Sequence, residues 1–254
     1  MKITCVIPAR LKSTRIPTKM LCTLSGKPLL QWVWEAARST NMFDEIVFAV
    51  DDKRIEKIIN GFGGVAFLTS VACQSGTDRL VELVRKNKIK GDIIVNWQGD
   101  EPFITYEMVK SLLKTIKSPF DIWTLKKEIK GAREIHCPHN VKVVTDHLGK
   151  ALYFSRSPIP FVRNNKCFYK VYKHIGIYAF KRQALKTIGN LPSSYLEEVE
   201  GLEQLRFLQS GMSIQVHETT KDTIGIDTAE DMKIAEEEIF RLLGSKSDKE
   251  RVKV

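Results

Sequence analysis

Long apolar runs are missing from this sequence of 254 residues. A helix that crosses a membrane needs about 20 consecutive apolar residues, whereas the apolar run at residues 3–9 is interrupted by Arg10 and Lys12. The interruption also argues against a secretory signal peptide. We therefore expect no membrane insertion and a cytoplasmic protein. Hydrophobic residues at 43% and charged residues at 28% are ordinary proportions for a globular chain.

Paired cysteines are missing as well. The cysteines are odd in number, far apart and never spaced as C-x-x-C: Cys5, Cys22, Cys73, Cys137 and Cys167. This is not the spacing of a disulfide framework, so we expect reduced cysteines that mostly serve packing. One group could bind zinc, namely His136, Cys137 and His139 with His147 further along. Its spacing matches no standard zinc site, and Pro138 indicates a loop, so zinc is the less favoured interpretation.

Acidic residues are outnumbered, because 40 Lys and Arg stand against 30 Asp and Glu, a net charge of +10. A basic surface could bind the phosphates of a nucleic acid. It could equally serve an enzyme with polyanionic small substrates, since a positive cleft attracts and steers them. The cations are spread along the chain, and their densest group, residues 10–19, follows a predicted strand. That placement favours the enzyme.

Short β-branched runs alternate with amphipathic runs in the first half of the chain. The pattern predicts strands at 3–7, 45–50, 65–68 and 92–96, and helices at 28–39, 53–60 and 77–87. Such alternation is typical of an α/β protein with a doubly wound, mostly parallel sheet. Ligands of such sheets bind outside the carboxyl ends of the strands. The polar residues that follow each strand are therefore the candidates for function.

From about residue 119 to 180 the pattern changes to strands without helices between them. We predict strands at 121–128, 141–145, 151–155 and 169–180, and we interpret this segment as a β-rich insertion that lies over the core. A helix at 196–208, a strand at 213–218 and a final helix at 228–243 complete the prediction. Residues 1–243 would form one domain, and residues 244–254 a polar, frayed C-terminal tail.

The glycine-rich phosphate loops G-x-x-x-x-G-K-[ST] and G-x-G-x-x-G are missing after the first strand. Four cations stand there instead: Arg10, Lys12, Arg15 and Lys19. A basic loop at this edge of the sheet can surround a triphosphate and neutralise the charge that builds on leaving pyrophosphate. The alternative is a solvated basic loop.

Two acidic positions also follow strands or precede a helix. Asp100, in the run QGDEP, comes directly after the strand 92–96 and is well placed to hold Mg²⁺ against phosphate oxygens. An acidic turn is the alternative. Asp227 comes just before the predicted helix at 228 and could be a second metal carboxylate. It could also be the helix N-cap, and the sequence by itself favours the cap.

Several motifs occur together over nearly the whole chain. They are IPAR…STR…K at 7–19, QSGTDRL at 74–80, VNWQGDEP at 95–102, NVKVV at 140–144, ALYFSRSPIP at 151–160, HIGIYAF at 174–180, LEQLR at 202–206 and GIDTAED at 225–231. This set closely resembles the 3-deoxy-manno-octulosonate cytidylyltransferases, also called CMP-Kdo synthetases. The resemblance implies a Rossmann-like nucleotidyltransferase core whose insertion covers the sugar site. It also implies transfer of CMP from CTP to the sugar acid Kdo (3-deoxy-D-manno-octulosonate) for lipopolysaccharide synthesis, with Mg²⁺ as cofactor and a homodimer formed through the insertion.

The resemblance implies roles for particular residues. Those around the nucleotide are Arg10 and Lys19 for the phosphates, Gln74, Ser75, Gly76 and Arg79 for cytosine and ribose, and Asp100 and Asp227 for Mg²⁺. Those around Kdo are Gln98, Arg156, His174, Glu203 and Gln204, with Arg156 suited to a carboxylate. Taken alone, His174 could be a packed core residue, Glu203 and Gln204 could be exposed, and Arg79 could pair with Glu82 on a helix surface.

Two positions depart from the family pattern. Thr18 stands where glycine is usual, which would remove access to a positive φ and leave loop closure in question. Asp78 stands where glutamate is more usual, with the same charge and a shorter reach. Three alternatives remain: a cytidylyltransferase for a related acid such as 8-amino-Kdo or a sialic acid, a basic nucleic-acid-binding protein, or an inactive homologue.

Overall fold

A computed structural model describes residues 1–13, 16–164 and 169–251, with side chains described through residue 242. Arg15 of the basic loop and Cys167 lie outside the described residues. The strands are β1 Ile3–Ala9, β2 Thr23–Leu24, β3 Lys27–Pro28, β4 Glu45–Val50, β5 Ala66–Leu68, β6 Ile93–Asn96, β7 Ile122–Ile129, β8 Lys142–Thr145, β9 Ala151–Ser155, β10 Val171–Lys181 and β11 Ile214–Glu218. The helices are α1 Leu29–Ser39, α2 Lys53–Gly61, α3 Gly76–Arg85, α4 Tyr106–Leu112, α5 Ala132–His136, α6 Arg182–Ile188, α7 Tyr195–Glu200, α8 Glu203–Gln209 and α9 Ala229–Arg251.

The central sheet has the order β11-β7-β10-β6-β1-β4-β5. Strand β10 runs antiparallel to both of its neighbours, and the other adjacent pairs along this path are parallel. Alternate residues of β1 enter different cores, with Cys5 and Ile7 on one face and Val6 on the other. Helices cover both faces, so the predicted doubly wound, mostly parallel α/β fold is confirmed.

The β-rich segment contributes directly to this sheet. Strands β7 and β10 are inside it, while β8 and β9 form a hairpin that joins β10 through the pair Lys142 and Lys173. The segment therefore extends the core sheet, a placement that the local pattern did not indicate. It also contains the short helix α5, where we predicted only loops between strands.

Two helix predictions were wrong in extent. The predicted helix at 196–208 is two helices, α7 and α8, because Gly201 takes a left-handed φ of 61° after α7. The final helix continues to Arg251 instead of ending at residue 243. Residues 245–251 are all serine, lysine, aspartate, glutamate or arginine, and lysine, glutamate and arginine favour helix. Helices α4 and α6 were not predicted. None of the described helices has the length and apolar character needed to cross a membrane.

Candidate active site

A cavity of about 200 Å³ opens at the carboxyl ends of β1 and β6. Its lining includes every residue that we predicted for the nucleotide and the metal, together with Gln98: Arg10, Lys19, Gln74, Ser75, Gly76, Arg79, Asp100 and Asp227. Two more polar residues of the basic loop, Lys12 and Ser13, also line it. The parallel sheet explains this convergence, because the loops that follow β1 and β6 leave from the same edge.

Lys19 joins three parts of this cavity. Its ammonium donates to Asp100 Oδ2 at 2.6 Å, to the carbonyl oxygen of Ile226 at 2.5 Å and to Asp227 Oδ1 at 3.2 Å. The Lys19 side chain is almost fully buried, and a buried cation needs such partners. Lys19 therefore fixes the basic loop against the two carboxylates. Direct contact between Lys19 and a CTP phosphate stays a prediction.

Thr18, just before Lys19, has a φ of 55°. Our expectation that threonine would remove access to positive φ was wrong. The loop takes the left-handed conformation, and the side chain carries the strain of a β-branched residue there, about 1–2 kcal/mol. The Thr18 hydroxyl also donates to the carbonyl of Pro17 at 2.7 Å. Threonine at this position therefore has an energetic cost and does not prevent the left-handed conformation.

The N-cap of α9 is Thr228, so our preference for Asp227 as the cap was wrong. The Thr228 hydroxyl accepts from the backbone N–H of Asp231 at 3.2 Å, and an Asp231 carboxylate oxygen accepts from the backbone N–H of Thr228 at 2.7 Å. This reciprocal pair is a capping box. Asp227 lies one residue earlier, and its carboxylate contacts Lys19 inside the cavity.

Glu101 is a third carboxylate beside this pair, and we had not assigned it a role. Burial raises its pKa to about 8, with repulsion from Asp100 as the next cause. One of its oxygens lies 2.5 Å from the hydroxyl of Thr223. The other faces Gly225, where an added Cβ would come within 2.8 Å of it. Glycine at 225 therefore lets the chain before Asp227 pass close to Glu101.

Asp100 and Asp227 form a donor set that suits magnesium. Both offer hard carboxylate oxygens, and Mg²⁺ commonly takes one or two carboxylates together with substrate phosphates. Among the described residues, no group of three His, Cys, Asp or Glu side chains is placed to hold a metal ion. The zinc interpretation of His136, Cys137 and His139 therefore gains no support, whereas a metal shared with phosphates needs only the two aspartates.

Arg79 is a buried residue of the nucleotide side. Its guanidinium donates to Asp51 Oδ2 at 2.8 Å and to the Thr69 hydroxyl at 2.7 Å. The alternative surface pair with Glu82 was wrong, because Glu82 binds Lys86 at 2.6 Å instead. Asp51 was missed in our sequence analysis. It directly follows β4, so the rule that strand ends carry function could have found it.

Glu203 connects the two halves of the proposed site. Its carboxylate oxygens accept from the hydroxyl of Ser75 at 2.5 Å and from that of Thr77 at 2.7 Å. Burial raises the pKa of Glu203. The neighbouring Gln204 is 6% exposed, so the alternative that both residues are exposed was wrong. Ser75 caps α3, and Asp78 completes a capping box there, so its shorter side chain has a clear structural use.

His174 lines a second and larger cavity of about 490 Å³, which also includes Asp227. Its Nε2 lies 2.9 Å from the hydroxyl of Thr124, and its ring meets Phe154 edge to face. Burial lowers the pKa of His174 to about 3, so the imidazole is neutral at physiological pH. His174 is thus packed against an aromatic ring and also faces a cavity.

Arg156 lies outside the linings of both cavities. Its guanidinium donates to the backbone carbonyls of Glu200 at 2.8 Å, Pro138 at 3.0 Å and Gly201 at 3.3 Å. Lys142, also missed in our sequence analysis, is fully buried and donates to the Arg156 carbonyl at 2.5 Å. Arg156 therefore holds the turn between α7 and α8, and Lys142 holds the backbone of Arg156. Contact between Arg156 and a sugar carboxylate stays a prediction.

Comparison with known proteins gives a consistent result. A family model described as Cytidylyltransferase matches residues 4–214. The chain is 48% identical over 244 residues to a 3-deoxy-manno-octulosonate cytidylyltransferase of Thermodesulfovibrio yellowstonii, covering 91% of this chain and 96% of that protein. Identity to a protein of the same name from Chloroherpeton thalassium is 45% over 236 residues, with 91% and 95% covered.

A solved structure of a CMP:2-keto-3-deoxy-manno-octonic acid synthetase in complex with CTP is also similar. It superposes with a TM-score of 0.89 at 40% identity, covering 95% of this chain and 99% of that one. Agreement of sequence and fold over this length confirms the resemblance seen in the motifs. The chain belongs to the 3-deoxy-manno-octulosonate cytidylyltransferase family.

Proposed function

We propose that this enzyme transfers CMP from CTP to the anomeric hydroxyl of Kdo, giving CMP-Kdo and pyrophosphate for lipopolysaccharide synthesis. The observation that carries the proposal is the cavity at the ends of β1 and β6, where basic-loop cations face Asp100 and Asp227. The relative solved with CTP shares this fold at 40% identity. A triphosphate needs such a concentration of positive charge, and the two carboxylates supply the metal ligands.

The reaction is an in-line displacement at the α-phosphorus of CTP. A bond forms from the anomeric oxygen to this phosphorus, and the bond to the bridging oxygen of the β-phosphate breaks. Pyrophosphate leaves with the electron pair, and the hydroxyl proton passes to water. Arg10 and Lys12 line the cavity and neutralise the growing charge on pyrophosphate. Magnesium, bound by Asp100 and Asp227, would add positive charge at the phosphate oxygens.

The sugar acid is proposed to bind beside the nucleotide, held by Gln98, Arg156, His174, Glu203 and Gln204. The hydrogen bond between Ser75 and Glu203 supports a sugar site next to the turn at residues 74–76, which is proposed to bind the nucleotide. A neutral His174 can donate or accept a hydrogen bond with a sugar hydroxyl. Catalysis then rests on positioning and charge neutralisation, without a covalent intermediate.

We also propose a cytoplasmic homodimer. Leu148, Leu152 and Phe161 are exposed apolar side chains in the β-rich segment, which supports a subunit contact there. Light scattering coupled to gel filtration should give about twice the chain mass of 29.0 kDa. A monomer at micromolar concentration would contradict the dimer.

Product identity tests the function. Purified protein is incubated with CTP, Kdo and Mg²⁺, and the products are analysed by mass spectrometry. CMP-Kdo should form, and the reaction should fail when CTP is replaced by CMP, which lacks the pyrophosphate leaving group. Formation of a CMP conjugate only with 8-amino-Kdo or a sialic acid would show that this acid, and not Kdo, is the substrate.

A further inference from the structure

Asp51 holds two elements of the nucleotide cavity with its two carboxylate oxygens. Oδ1 accepts from the backbone N–H of Leu11 at 2.8 Å, and Oδ2 accepts from Nη2 of Arg79 at 2.8 Å. The side chains of Asp51 and Arg79 are only 10% and 3% exposed. Both bonds are therefore shielded from water, where a charge-assisted hydrogen bond is strongest.

These contacts join the loops that follow three strands to the helix α3. Leu11 belongs to the loop after β1, and Asp51 follows β4. Arg79 lies on α3 and also donates to Thr69 and Ser70, which follow β5.

The basic loop is consequently fixed at two points. Asp51 holds the N–H of Leu11, while Asp100 and Asp227 hold the ammonium of Lys19. Both neighbours of Leu11, Arg10 and Lys12, line the cavity. A hydrogen bond to the backbone between two cations sets the direction in which both side chains leave the chain. Asp51 itself is not part of the cavity lining, so it acts through these neighbours.

A carboxylate near a triphosphate site would repel the ligand if its charge were exposed. The charge of Asp51 is instead balanced by Arg79, and both oxygens are turned toward donors. Breaking one partner of a buried ion pair leaves the other uncompensated. The pair therefore keeps Arg79 in its place at the cavity wall.

We infer that Asp51 is a positioning residue for CTP, which orients the basic loop through Leu11 and the cavity wall through Arg79. This role rests on the proposed function, because the ligand that the loop would receive is the triphosphate. Asp51 does not line the cavity, so its loss should weaken nucleotide binding through Leu11 and Arg79 and should affect binding of the sugar acid less.

The test measures CTP and CMP binding by titration calorimetry with Mg²⁺ and without any sugar acid. Asp51→Asn keeps the side-chain volume and an oxygen for the Leu11 N–H but removes the charge opposite Arg79. Asp51→Ala removes both contacts. We expect the Kd for CTP to rise at least tenfold in both variants. In Asp51→Ala the preference for CTP over CMP should also fall at least fivefold, because the released loop serves the outer phosphates.

Asp52→Ala is the matched control. Asp52 is the adjacent residue and the N-cap of α2, with its side chain accepting from the N–H of Arg54. Its removal should lower the urea concentration at the unfolding midpoint, because α2 loses its cap, while leaving the Kd for CTP within twofold of wild type. If CTP affinity simply followed stability, Asp52→Ala would weaken CTP binding as much as the Asp51 variants do. That result would overturn the positioning role.

Asp51→Glu covers the case in which the other variants do not fold. It keeps the charge for Arg79 but moves the carboxylate by one methylene, so both hydrogen bonds cannot be kept. We expect at least a threefold rise in the Kd for CTP. Folded Asp51 variants with a CTP affinity within twofold of wild type would contradict only this role. Wild-type protein that binds no CTP would contradict the proposed function and this role together.

Discussion

The hydroxyl of Ser75 donates to a carboxylate oxygen of Glu203 at 2.5 Å, across 128 residues of sequence. Ser75 caps α3 at the wall of the cavity proposed for the nucleotide, and Glu203 begins α8, which carries two of the residues proposed for the sugar acid. A bond to Thr77 reinforces the link. Hydrogen bonds therefore connect the two proposed substrate sites, and we expect changes at one to be measurable at the other.

Glu203→Gln should raise the KM for CTP and the KM for Kdo together, each by about tenfold. The neutral amide loses the charge that holds two hydroxyls, and a hydrogen bond to a charged group contributes about 1.5–3 kcal/mol. Steady-state kinetics with each substrate varied in turn provides the measurement. Glu198→Gln, on the exposed face of the preceding helix, is the control and should change neither constant. A rise in only one KM would contradict the link between the two sites.

Thr18→Gly should leave CTP binding intact and change the unfolding free energy by less than about 1 kcal/mol in either direction. Glycine relieves the strain of positive φ in the folded state, which raises stability. It also increases the conformational entropy of the unfolded chain, which lowers stability. Thr23→Gly is the control, because Thr23 is exposed in β2 and is not among the positive-φ residues described. It should lose about 0.5–1 kcal/mol without compensation. Urea unfolding gives the free energy of unfolding of both variants. An equal loss at the two positions would contradict the proposed backbone strain at Thr18.

The half-buried Glu101 should make stability depend on pH. Its pKa is about 8 in the folded protein against an ordinary value of 4.5. Between these values the folded state holds a proton that the unfolded state has released, so stability falls as pH rises from about 4.5 to 8. Glu101→Gln is neutral at every pH and should therefore lack this pH dependence. Its free energy of unfolding should exceed that of the wild type by the largest amount at about pH 8.

Urea unfolding at pH 5.5 and pH 8 measures this dependence, in EDTA so that bound metal does not affect the carboxylates. The difference in unfolding free energy between the two pH values should be smaller in Glu101→Gln than in the wild type. Glu107→Gln is the control, because Glu107 is exposed in the first turn of α4. Equal pH dependence in the wild type and in Glu101→Gln would show that the Glu101 carboxyl titrates normally.

Asp100→Asn and Asp227→Asn should each reduce kcat by about a hundredfold to a thousandfold while the protein stays folded. The amide keeps an oxygen near Lys19 but is a poor ligand for Mg²⁺, and loss of one charge-stabilising group commonly costs 10²–10³ in rate. Circular dichroism and turnover over a range of Mg²⁺ concentrations measure the two effects. Asp92→Asn, at a residue that accepts from the backbone of Lys2 far from the cavity, should keep full activity. Normal Mg²⁺-dependent turnover in either site variant would contradict the metal assignment.

Local pattern predicted the sheet core and the polar edge of the site well. Buried strands such as β4 are continuous apolar runs, and the residues that follow them converge because parallel strands end at one edge. Short helices such as α4 and α6 were missed because seven residues give too little periodicity to detect. The break between α7 and α8 depends on the single backbone angle of Gly201.

The energetic details of the site could not be predicted from sequence. Whether Asp227 or Thr228 caps α9 is decided by the position of Asp231, one turn later. The bonds of Glu203 to Ser75 and of Asp51 to Leu11 join positions far apart in the chain, so no local pattern encodes them. Thr18 adopts a positive φ although threonine disfavours it, so a residue's backbone preference predicts an energetic cost and does not exclude the conformation.

Pyrophosphate release from the purified protein is the most direct test of the proposed reaction. It should be measured with CTP and Mg²⁺ and with Kdo, 8-amino-Kdo or N-acetylneuraminate as acceptor, with UTP and ATP replacing CTP in parallel. We predict release with Kdo that requires both CTP and Mg²⁺ and is at least a hundredfold slower with the other nucleotides. Folded protein that binds CTP but releases no pyrophosphate with any of these acids would contradict it.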